Sequence, residues 1–318
     1  MKAAIVSEAG RAPTYAEFDE PVRIDGEIRV HVTASALTNF TKVRASGKHY
    51  SFEAEAPFVV GIDGVGRLDD GRRVYFLFPR SPFGGMAQRT VVLSSQCVTI
   101  PDGVDDITVA AIADPGMSAW VALEFRAKLA AGETVLVNGA TGSAGGMAVQ
   151  IAKYLGAKKV IATGRNEQVL NRLRSLGADV VIPLGRESDA FEAAFKEQFG
   201  EGVDIILDYL WGHSAELLLA AGAKAGKGTT PLRFVQIGTA SAPTITLPGA
   251  LLRSSAIEIT GSGIGSVALD GIMSVLSKMI GVAATAGFKT ETEAVPLRRI
   301  AEVWSMENPS PRVVLTVD

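Results

Sequence analysis

Residues 133–146, ETVLVNGATGSAGG, combine the residue types that hold a diphosphate group. The apolar residues 135–137 predict a short buried strand of a parallel sheet, followed by a glycine-punctuated turn and a helix. Gly142 and Gly145 supply the last two glycines of the dinucleotide fingerprint, and Ala140 stands where the first glycine usually lies. Small residues there permit a tight turn, close approach of the backbone to the phosphates and close packing of the helix. The helix would then direct free amide groups and its positive dipole end at the anion.

A glycine-rich loop selected for turn geometry alone has the same composition, so the context decides. A helix over about 145–155 and a second apolar strand over 159–163 follow at the spacing of a right-handed βαβ unit. This context favours nucleotide binding. The residues expected to contact the phosphates are Ala140, Thr141, Gly142, Ser143, Ala144 and Gly145.

The residues after the second strand predict which dinucleotide binds. NAD-binding proteins usually carry an Asp or Glu here for the ribose 2′-hydroxyl, whereas this chain has Gly164, Arg165 and Asn166. The Arg165 guanidinium can pair with a 2′-phosphate through two parallel hydrogen bonds, which favours NADPH over NADH. The alternative is a solvated surface arginine.

Composition restricts the class of protein. The 318 residues are 47% hydrophobic, enough for two domains with separate cores. The 31 basic and 34 acidic residues nearly balance, which argues against nucleic acid or an anionic membrane as a partner. The single cysteine, Cys97, excludes an internal disulfide and every multi-cysteine zinc site, and we interpret it as a small buried or half-buried thiol.

No targeting or membrane segment is predicted. The N-terminal MKAAIVSEAG becomes polar too soon for the apolar core of a signal peptide, and no stretch approaches the length of a membrane span. A cytoplasmic location is the resulting expectation.

The pattern of elements changes twice along the chain. Residues 1–112 contain short alternating strands with turns between them, which predicts a mainly β domain, and His31 falls on the surface of one such strand. Residues 113–262 alternate helices with six fully apolar strands, which predicts an α/β fold with a doubly wound sheet. Residues 263–318 predict a helix over 269–286, a strand near 291–294, a helix over 296–306 and a strand over 313–317. This mixed tail is expected to return to the first domain.

This layout resembles the medium-chain dehydrogenase/reductase superfamily, and in particular its zinc-independent quinone oxidoreductase (zeta-crystallin-like) branch. The segments that carry the resemblance are ASALTNF, VRASGKHY, PFVVGIDGVGRL, AAIADPGMSAWVAL, VLVNGATGSAGGMAVQIAKYLGAKKVIATG, LRSLGADVVI, VDIILD and PLRRIAEVW with VVLTV. It implies a GroES-like catalytic domain over 1–112 completed by 263–318, and a Rossmann domain that binds NADPH over 113–262.

The resemblance also bears on metal binding. Zinc-dependent relatives hold a catalytic ion at places that look like Thr41 or Lys42, Ile62 and Asp114 here, so one possible ligand remains. Catalytic zinc needs about three protein ligands. We therefore expect no metal, and we interpret Asp63 as a buried or partly buried structural acid that makes backbone hydrogen bonds.

The activity implied by the resemblance is hydride transfer from NADPH to a quinone or similar conjugated carbonyl, whose delocalised charge needs only hydrogen-bond donors. Tyr50 is the best candidate donor, followed by Asn39, with Lys42 and His49 as nearby alternatives. Tyr50 could equally be a packing residue with a wet hydroxyl, and Asn39 a turn residue.

Further cofactor contacts are carried over from the same resemblance. They are Ser118, the turn Ile237, Gly238 and Thr239, and the glycine-rich stretch that contains Gly261, Ser262 and Gly263. Each of these residues could instead be present only because the turn geometry requires it. For Ser118 the alternative is an ordinary hydroxyl at a helix start. One interpretation of Asp208 is that its only role is to cap the segment that follows it. His213 is interpreted as a loop residue.

Two other functions stay open. One is reduction of an activated carbon double bond in an alkenal, enone or enoyl substrate, and the other is a non-catalytic NADPH-binding or structural role. A nucleic-acid role is weaker because the charge is balanced. Residues 256–260 are expected at the edge of the sheet, and an apolar edge needs covering. The resemblance implies that two subunits join their sheets there, so a homodimer is predicted.

Overall fold

A computed structural model of the protein describes residues 1–47, 55–185, 188–225, 231–306 and 311–317. The chain divides into two compact units. Unit 1 contains Met1–Asp114 and Met273–Asp318, and unit 2 contains Pro115–Ile272.

The strands, in chain order, are β1 Lys2–Val6, β2 Thr14–Glu17, β3 Glu27–Ala36, β4 Phe58–Val59, β5 Asp63–Arg67, β6 Arg73–Leu77, β7 Arg89–Leu93, β8 Cys97–Thr99, β9 Thr134–Asn138, β10 Lys159–Gly164, β11 Val180–Pro183, β12 Ile205–Asp208, β13 Leu232–Gln236, β14 Ile257–Gly261, β15 Thr292–Pro296 and β16 Arg312–Thr316. The α-helices are α1 Asn39–Ala45, α2 Asp106–Val121, α3 Ser143–Tyr154, α4 Glu167–Leu173, α5 Ser188–Glu201, α6 Gly212–Ala225, α7 Gly249–Arg253, α8 Leu269–Ala286 and α9 Ile300–Trp304. Single 3₁₀ turns lie at Ser94–Gln96, Arg174–Leu176 and Leu297–Arg299, and a π-helical turn lies at Ala122–Ala127.

Unit 1 is built on two antiparallel-rich sheets. In the described residues, one sheet has the order β2-β1-β4, and the other has the order β15-β16-β3-β5-β6-β8 with β7 paired to β3. The C-terminal strand β16 lies antiparallel to β3, with Val314 opposite Ala36. The helix predicted over 296–306 is shorter, because its first turn is 3₁₀ and α9 ends at Trp304.

Unit 2 contains a parallel sheet with the order β11-β10-β9-β12-β13-β14 among the residues that the structure describes. This is the strand order of a doubly wound dinucleotide-binding fold, which confirms the predicted α/β class. β9 is buried along its whole length, and apolar residues of β10, β12, α5 and α6 pack around it in one core. β14 lies at the sheet edge, as predicted for residues 256–260.

The prediction that no stretch approaches a membrane span is wrong. Within the described part of the chain, α8 has 18 residues and a mean hydropathy of 1.3, long and apolar enough to cross a membrane by these criteria. Its buried residues nevertheless recur at helical spacing, at Met273, Leu276, Ile280 and Ala283. This spacing is typical of an amphipathic helix that packs one face on a protein core.

Candidate functional site

The turn between β9 and α3 is shaped by glycines that the protein's own packing requires. Gly139 has a φ of +90°, and a Cβ there would lie 2.9 Å from the Leu210 side chain. A Cβ on Gly145 would lie 2.3 Å from the Gly139 carbonyl oxygen and 2.6 Å from the Ala140 Cα. The tight turn thus depends on Gly139, and not on the position of Ala140 as the fingerprint suggested.

Gly142 differs from these two glycines. The nearest atom to a Cβ built there is 3.8 Å away, so no contact within the protein requires a glycine. Gly142 is also the N-cap of α3, and it contributes no side-chain hydrogen bond. The first amide groups of α3, at Ser143 and Ala144, therefore face a partly exposed position without a side-chain cap. The arrangement fits a diphosphate, which accepts from such amides.

The predicted cofactor turns meet at one edge of the sheet. Asn138 is in register with Thr163 and with Asp208, and Asp208 is in register with Gln236. Gln236 is in turn opposite Gly261. Because the strands are parallel, the turns that follow them lie at the same carboxyl edge, where ligands of open α/β sheets bind.

A buried polar network lies directly below these turns. The Thr163 hydroxyl donates to Asn138 Oδ1 at 2.7 Å and accepts from the Gly139 amide at 3.3 Å. Asn138 Nδ2 donates to Asp208 Oδ1 at 2.8 Å and to the Ser214 hydroxyl at 2.9 Å. Sequence reasoning did not find this network, although each apolar strand ending in a polar residue (VLVN, VIAT, IILD) was its signal.

Asp208 caps the segment after β12, as one sequence interpretation held. Its carboxylate accepts from the amides of Leu210 and Trp211, at 3.1 Å and 3.2 Å to Oδ1. Burial raises the pKa of this carboxyl to about 6, and the Asn138 and backbone hydrogen bonds partly oppose that shift. Trp211 has a φ of +59°, so the capped turn holds the backbone of a non-glycine residue in the left-handed region.

The end of β10 carries the predicted 2′-phosphate residues. A Cβ on Gly164 would lie 2.4 Å from the Thr141 side chain, so this glycine lets Thr141 pack over the strand end. Arg165 is exposed. The Asn166 side chain caps α4 by accepting from the Val169 amide at 3.1 Å.

The turns after β13 and β14 also have defined structural roles. A Cβ on Gly238 would lie 2.6 Å from the Tyr209 carbonyl, whereas Gly261 has no atom within 4 Å of such a Cβ. Ser262 donates its amide to Gln236 at 2.8 Å, and Gly263 donates its amide to the Ser266 hydroxyl at 2.9 Å. Ile237 and Thr239 complete the first of these turns and are partly exposed and exposed, respectively.

Ser118 and His213 lie elsewhere than expected. Ser118 is in the C-terminal half of α2, so the helix-start interpretation is wrong. It lies near the buried Tyr209 hydroxyl, although the two groups do not meet hydrogen-bond geometry. Burial raises the pKa of Tyr209, and Ser118 lowers it by a smaller amount. His213 is in the first turn of α6, not in a loop, and its exposed ring is 3.7 Å from Glu216.

The predicted catalytic residues belong to unit 1. Asn39 is the first residue of α1 and is exposed, so it is helical and not a turn residue. The Lys42 ammonium donates to the Met306 carbonyl oxygen. Tyr50 and His49 lie outside the described residues.

Unit 1 also contains a buried ionisable cluster. Asp63 is 1% exposed, and its Oδ2 accepts from the Tyr75 hydroxyl at 2.8 Å. Oδ1 of Asp63 has no hydrogen-bond partner, so the backbone hydrogen bonds predicted for this carboxylate are absent from the described residues. Arg312, 7% exposed, places Nη2 3.7 Å from Asp114 Oδ2. Burial and the Asp114 charge raise the pKa of Asp63 to about 7, while Tyr75 and Arg312 lower it.

A cavity of about 240 Å³ lies beside α1 in unit 1. Its lining combines apolar and polar surface, with Phe58 and Phe83 as its aromatic rings and Thr41 and Arg44 from the helix. Burial lowers the pKa of Arg44 to about 10.

Over the ranges that the structure describes, no group of three or more His, Cys, Asp or Glu side chains could hold a metal ion. Within those ranges, the side chains do not supply the roughly three protein ligands that catalytic zinc needs.

The chain is similar to several known proteins. A family model described as "zinc-binding dehydrogenase" matches residues 144–288. A probable NADPH-dependent quinone reductase from Emericella nidulans is 28% identical over 353 residues, which cover 97% of each chain. These comparisons support the medium-chain dehydrogenase/reductase superfamily as the group of proteins that the chain resembles. This confirms the resemblance on which the site residues were assigned.

Other proteins are similar to the chain over different lengths. The quinone oxidoreductase of Thermus thermophilus, whose structure was also determined with NADPH, has a TM-score of 0.83 at 24% identity, covering 99% of this chain and 100% of that chain. This likeness shows the fold. A mycocerosic acid synthase-like polyketide synthase of Mycobacterium tuberculosis is 32% identical over 239 residues, but the chain spans only 10% of that protein's length.

Proposed function

We propose that this chain is an NADPH-dependent oxidoreductase that passes hydride to a quinone or a similar conjugated carbonyl compound without a metal. The observation that carries the proposal is the β9–α3 turn, where Gly139 and Gly145 are required by the protein while Gly142 and the uncapped start of α3 leave room for a diphosphate. The relative with 97% mutual coverage is named as an NADPH-dependent quinone reductase.

The chain's own residues have three tasks in this proposal. Amides of Ser143 and Ala144 bind the diphosphate, and Arg165 binds the 2′-phosphate. When bound, NADPH supplies the hydride. Donors on the acceptor side stabilise the negative charge on the acceptor oxygen, and we assign this role to Tyr50, with Asn39 and Lys42 as the other candidates. The cavity beside α1 is the proposed acceptor site.

The direct test follows NADPH absorbance with three acceptor classes: quinones, enones and alkenals. We expect oxidation that depends on enzyme, is fastest with a quinone, and persists after dialysis against a chelator. Faster turnover of an enone or alkenal would favour the carbon double-bond reductase instead. Tight NADPH binding with no oxidation across the panel would favour a non-catalytic protein.

Arg165→Ala tests the cofactor preference. We expect its KM for NADPH to rise about tenfold or more while its KM for NADH hardly changes, because only NADPH carries the extra phosphate. Arg172→Ala, an exposed arginine of α4, is the matched control. Equal changes for both cofactors would make Arg165 a bystander.

Tyr50→Phe tests the proposed donor. Turnover with a quinone should fall by about one to two decades, the size expected for one lost donor, while NADPH binding stays intact. Steady-state kinetics and an NADPH titration measure the two effects. Unchanged turnover would remove Tyr50 from the mechanism.

We also propose a homodimer that joins two copies at β14. This strand is at the edge of its sheet, and its Ile257 and Ile259 side chains are only partly buried. Light scattering on the purified chain should give twice the mass of one chain, and the mass of a single chain would contradict the proposal.

A further inference from the structure

Asp208 connects the two turns on either side of it in the sheet. Its backbone carbonyl accepts from the amides of Ile237 and Gly238, at 2.8 Å and 3.1 Å. These residues form the turn after β13. On the other side, its carboxylate accepts from the Asn138 amide group. One residue is thus bonded to the ends of both neighbouring strands.

The second connection continues to the diphosphate turn. Asn138 Oδ1 accepts from the Thr163 hydroxyl, which itself accepts from the Gly139 amide. Gly139 is the residue whose positive φ opens the turn before α3. A chain of three hydrogen bonds therefore runs from the Asp208 carboxylate to the start of that turn.

The groups around the carboxylate suit its ionised form. Asn138 Nδ2 and the amides of Leu210 and Trp211 are all donors, so a protonated carboxyl would meet no acceptor among them. Among described residues, no charged group contributes to its pKa. The neighbouring titratable side chains are directed elsewhere, Tyr209 towards Ser118 and His213 towards Glu216.

We propose that Asp208 is a positioning residue whose backbone carbonyl holds the turn after β13 and whose carboxylate holds the diphosphate turn through Asn138, and that protonation of the carboxylate loosens the diphosphate turn and weakens dinucleotide binding. The inference rests on the proposed function, and it adds a regulation of the same site by pH. Because burial raises the pKa of Asp208 to about 6, the loosened form is populated in mildly acidic conditions.

Protonation of Asp208 should have opposite effects on cofactor binding and on stability, because the carboxyl is buried. A carboxyl whose pKa is higher in the folded than in the unfolded state binds its proton more tightly when folded. Its contribution to stability therefore falls as pH rises from about 4 to about 6, and it is at its lowest at neutral pH. Asp208→Asn removes this penalty, so we expect weaker cofactor binding without loss of thermal stability. A residue with a merely structural role would lose both.

The experiment measures the NADPH dissociation constant of wild type, Asp208→Asn and Asp179→Asn from pH 5 to pH 8. Asp179 is a matched control, since it also accepts from a backbone amide, that of Val160, but at the opposite end of β10. At pH 8 the Asp208→Asn constant should be about tenfold above wild type, the size of a lost hydrogen bond to a charged group. The ratio should approach one below pH 6, because the wild-type carboxyl is then protonated. Dividing the two constants at each pH cancels the titration of the NADPH 2′-phosphate.

A ratio that stays constant with pH, or a ratio of one at pH 8, would overturn the inference. If Asp208→Asn does not fold, a measurement on the wild-type protein alone tests the inference. Calorimetry with NADH, which has no 2′-phosphate, should detect proton release on binding near pH 6 and none at pH 8, and equal proton release at both would overturn it. Binding of neither nucleotide by wild type and Asp179→Asn would instead contradict the proposed function.

Discussion

Gly145→Ala is expected to raise the dissociation constant for NADPH by about 100-fold, which corresponds to roughly 2.7 kcal/mol. The added Cβ would meet the Gly139 carbonyl oxygen at 2.3 Å and the Ala140 Cα at 2.6 Å. These are backbone atoms of the turn, so the strain cannot be relieved by a side-chain rotation. The turn must move away from α3, and the amides that face the diphosphate move with it. Fluorescence or calorimetric titration measures the change.

The neighbouring Gly146→Ala is the matched control. It makes the same chemical change on the same helix, but the nearest atoms to its Cβ are at 3.6 Å and 3.7 Å, an ordinary contact. Alanine is also the better helix former. We expect wild-type affinity and equal or higher thermal stability. If both variants bind NADPH equally well, the close packing at Gly145 has no part in holding the diphosphate.

Arg312→Met is expected to lower the free energy of unfolding at pH 8 by about 3 kcal/mol, the cost of leaving buried carboxylates without their cation. Arg312 lowers the pKa of both Asp63 and Asp114, so the ionised forms of these acids depend on it. Burial raises the pKa of Asp63 to about 7, so the folded state already holds a proton there at lower pH. The wild-type stability contribution of Asp63 thus falls as pH rises from about 4 to about 7. The loss in free energy of unfolding caused by Arg312→Met should be smaller at pH 5, where the Asp63 carboxyl is protonated.

The double variant Arg312→Met with Asp114→Asn separates charge from packing. Removing the acid together with its cation should restore most of the lost stability, because no uncompensated charge is left buried. Urea unfolding at pH 5 and pH 8 measures all three proteins. Equal losses at both pH values, or no restoration, would show that Arg312 contributes through packing alone.

The doubly wound sheet could be predicted because its strands are local signals. The apolar run at residues 135–137 is buried on both faces in β9, and the helix predicted over 269–286 has those bounds as α8. Such elements depend on patterns within a few residues. The bounds of the 296–306 helix were wrong because its first turn is 3₁₀, a difference in hydrogen bonding that composition does not encode.

The polar contacts of the site could not be predicted in the same way. Asn138, Thr163 and Asp208 come from three strands, and only the register of the sheet brings them together. Asp63 was identified as a buried acid, yet its partners Tyr75 and Arg312 come from β6 and β16. A single sequence shows that a polar residue ends a strand, but long-range pairing decides which group satisfies it.

Calorimetric titration of the purified full chain with NADPH tests the central claim most directly. The structure predicts one diphosphate site per chain at the start of α3, with a dissociation constant of about micromolar order for NADPH and a weaker one for NADH. Weaker NADPH binding by Gly145→Ala in the same titration would show that the binding heat comes from the β9–α3 turn. Absence of binding heat from either reduced nucleotide with folded wild-type protein would contradict the account.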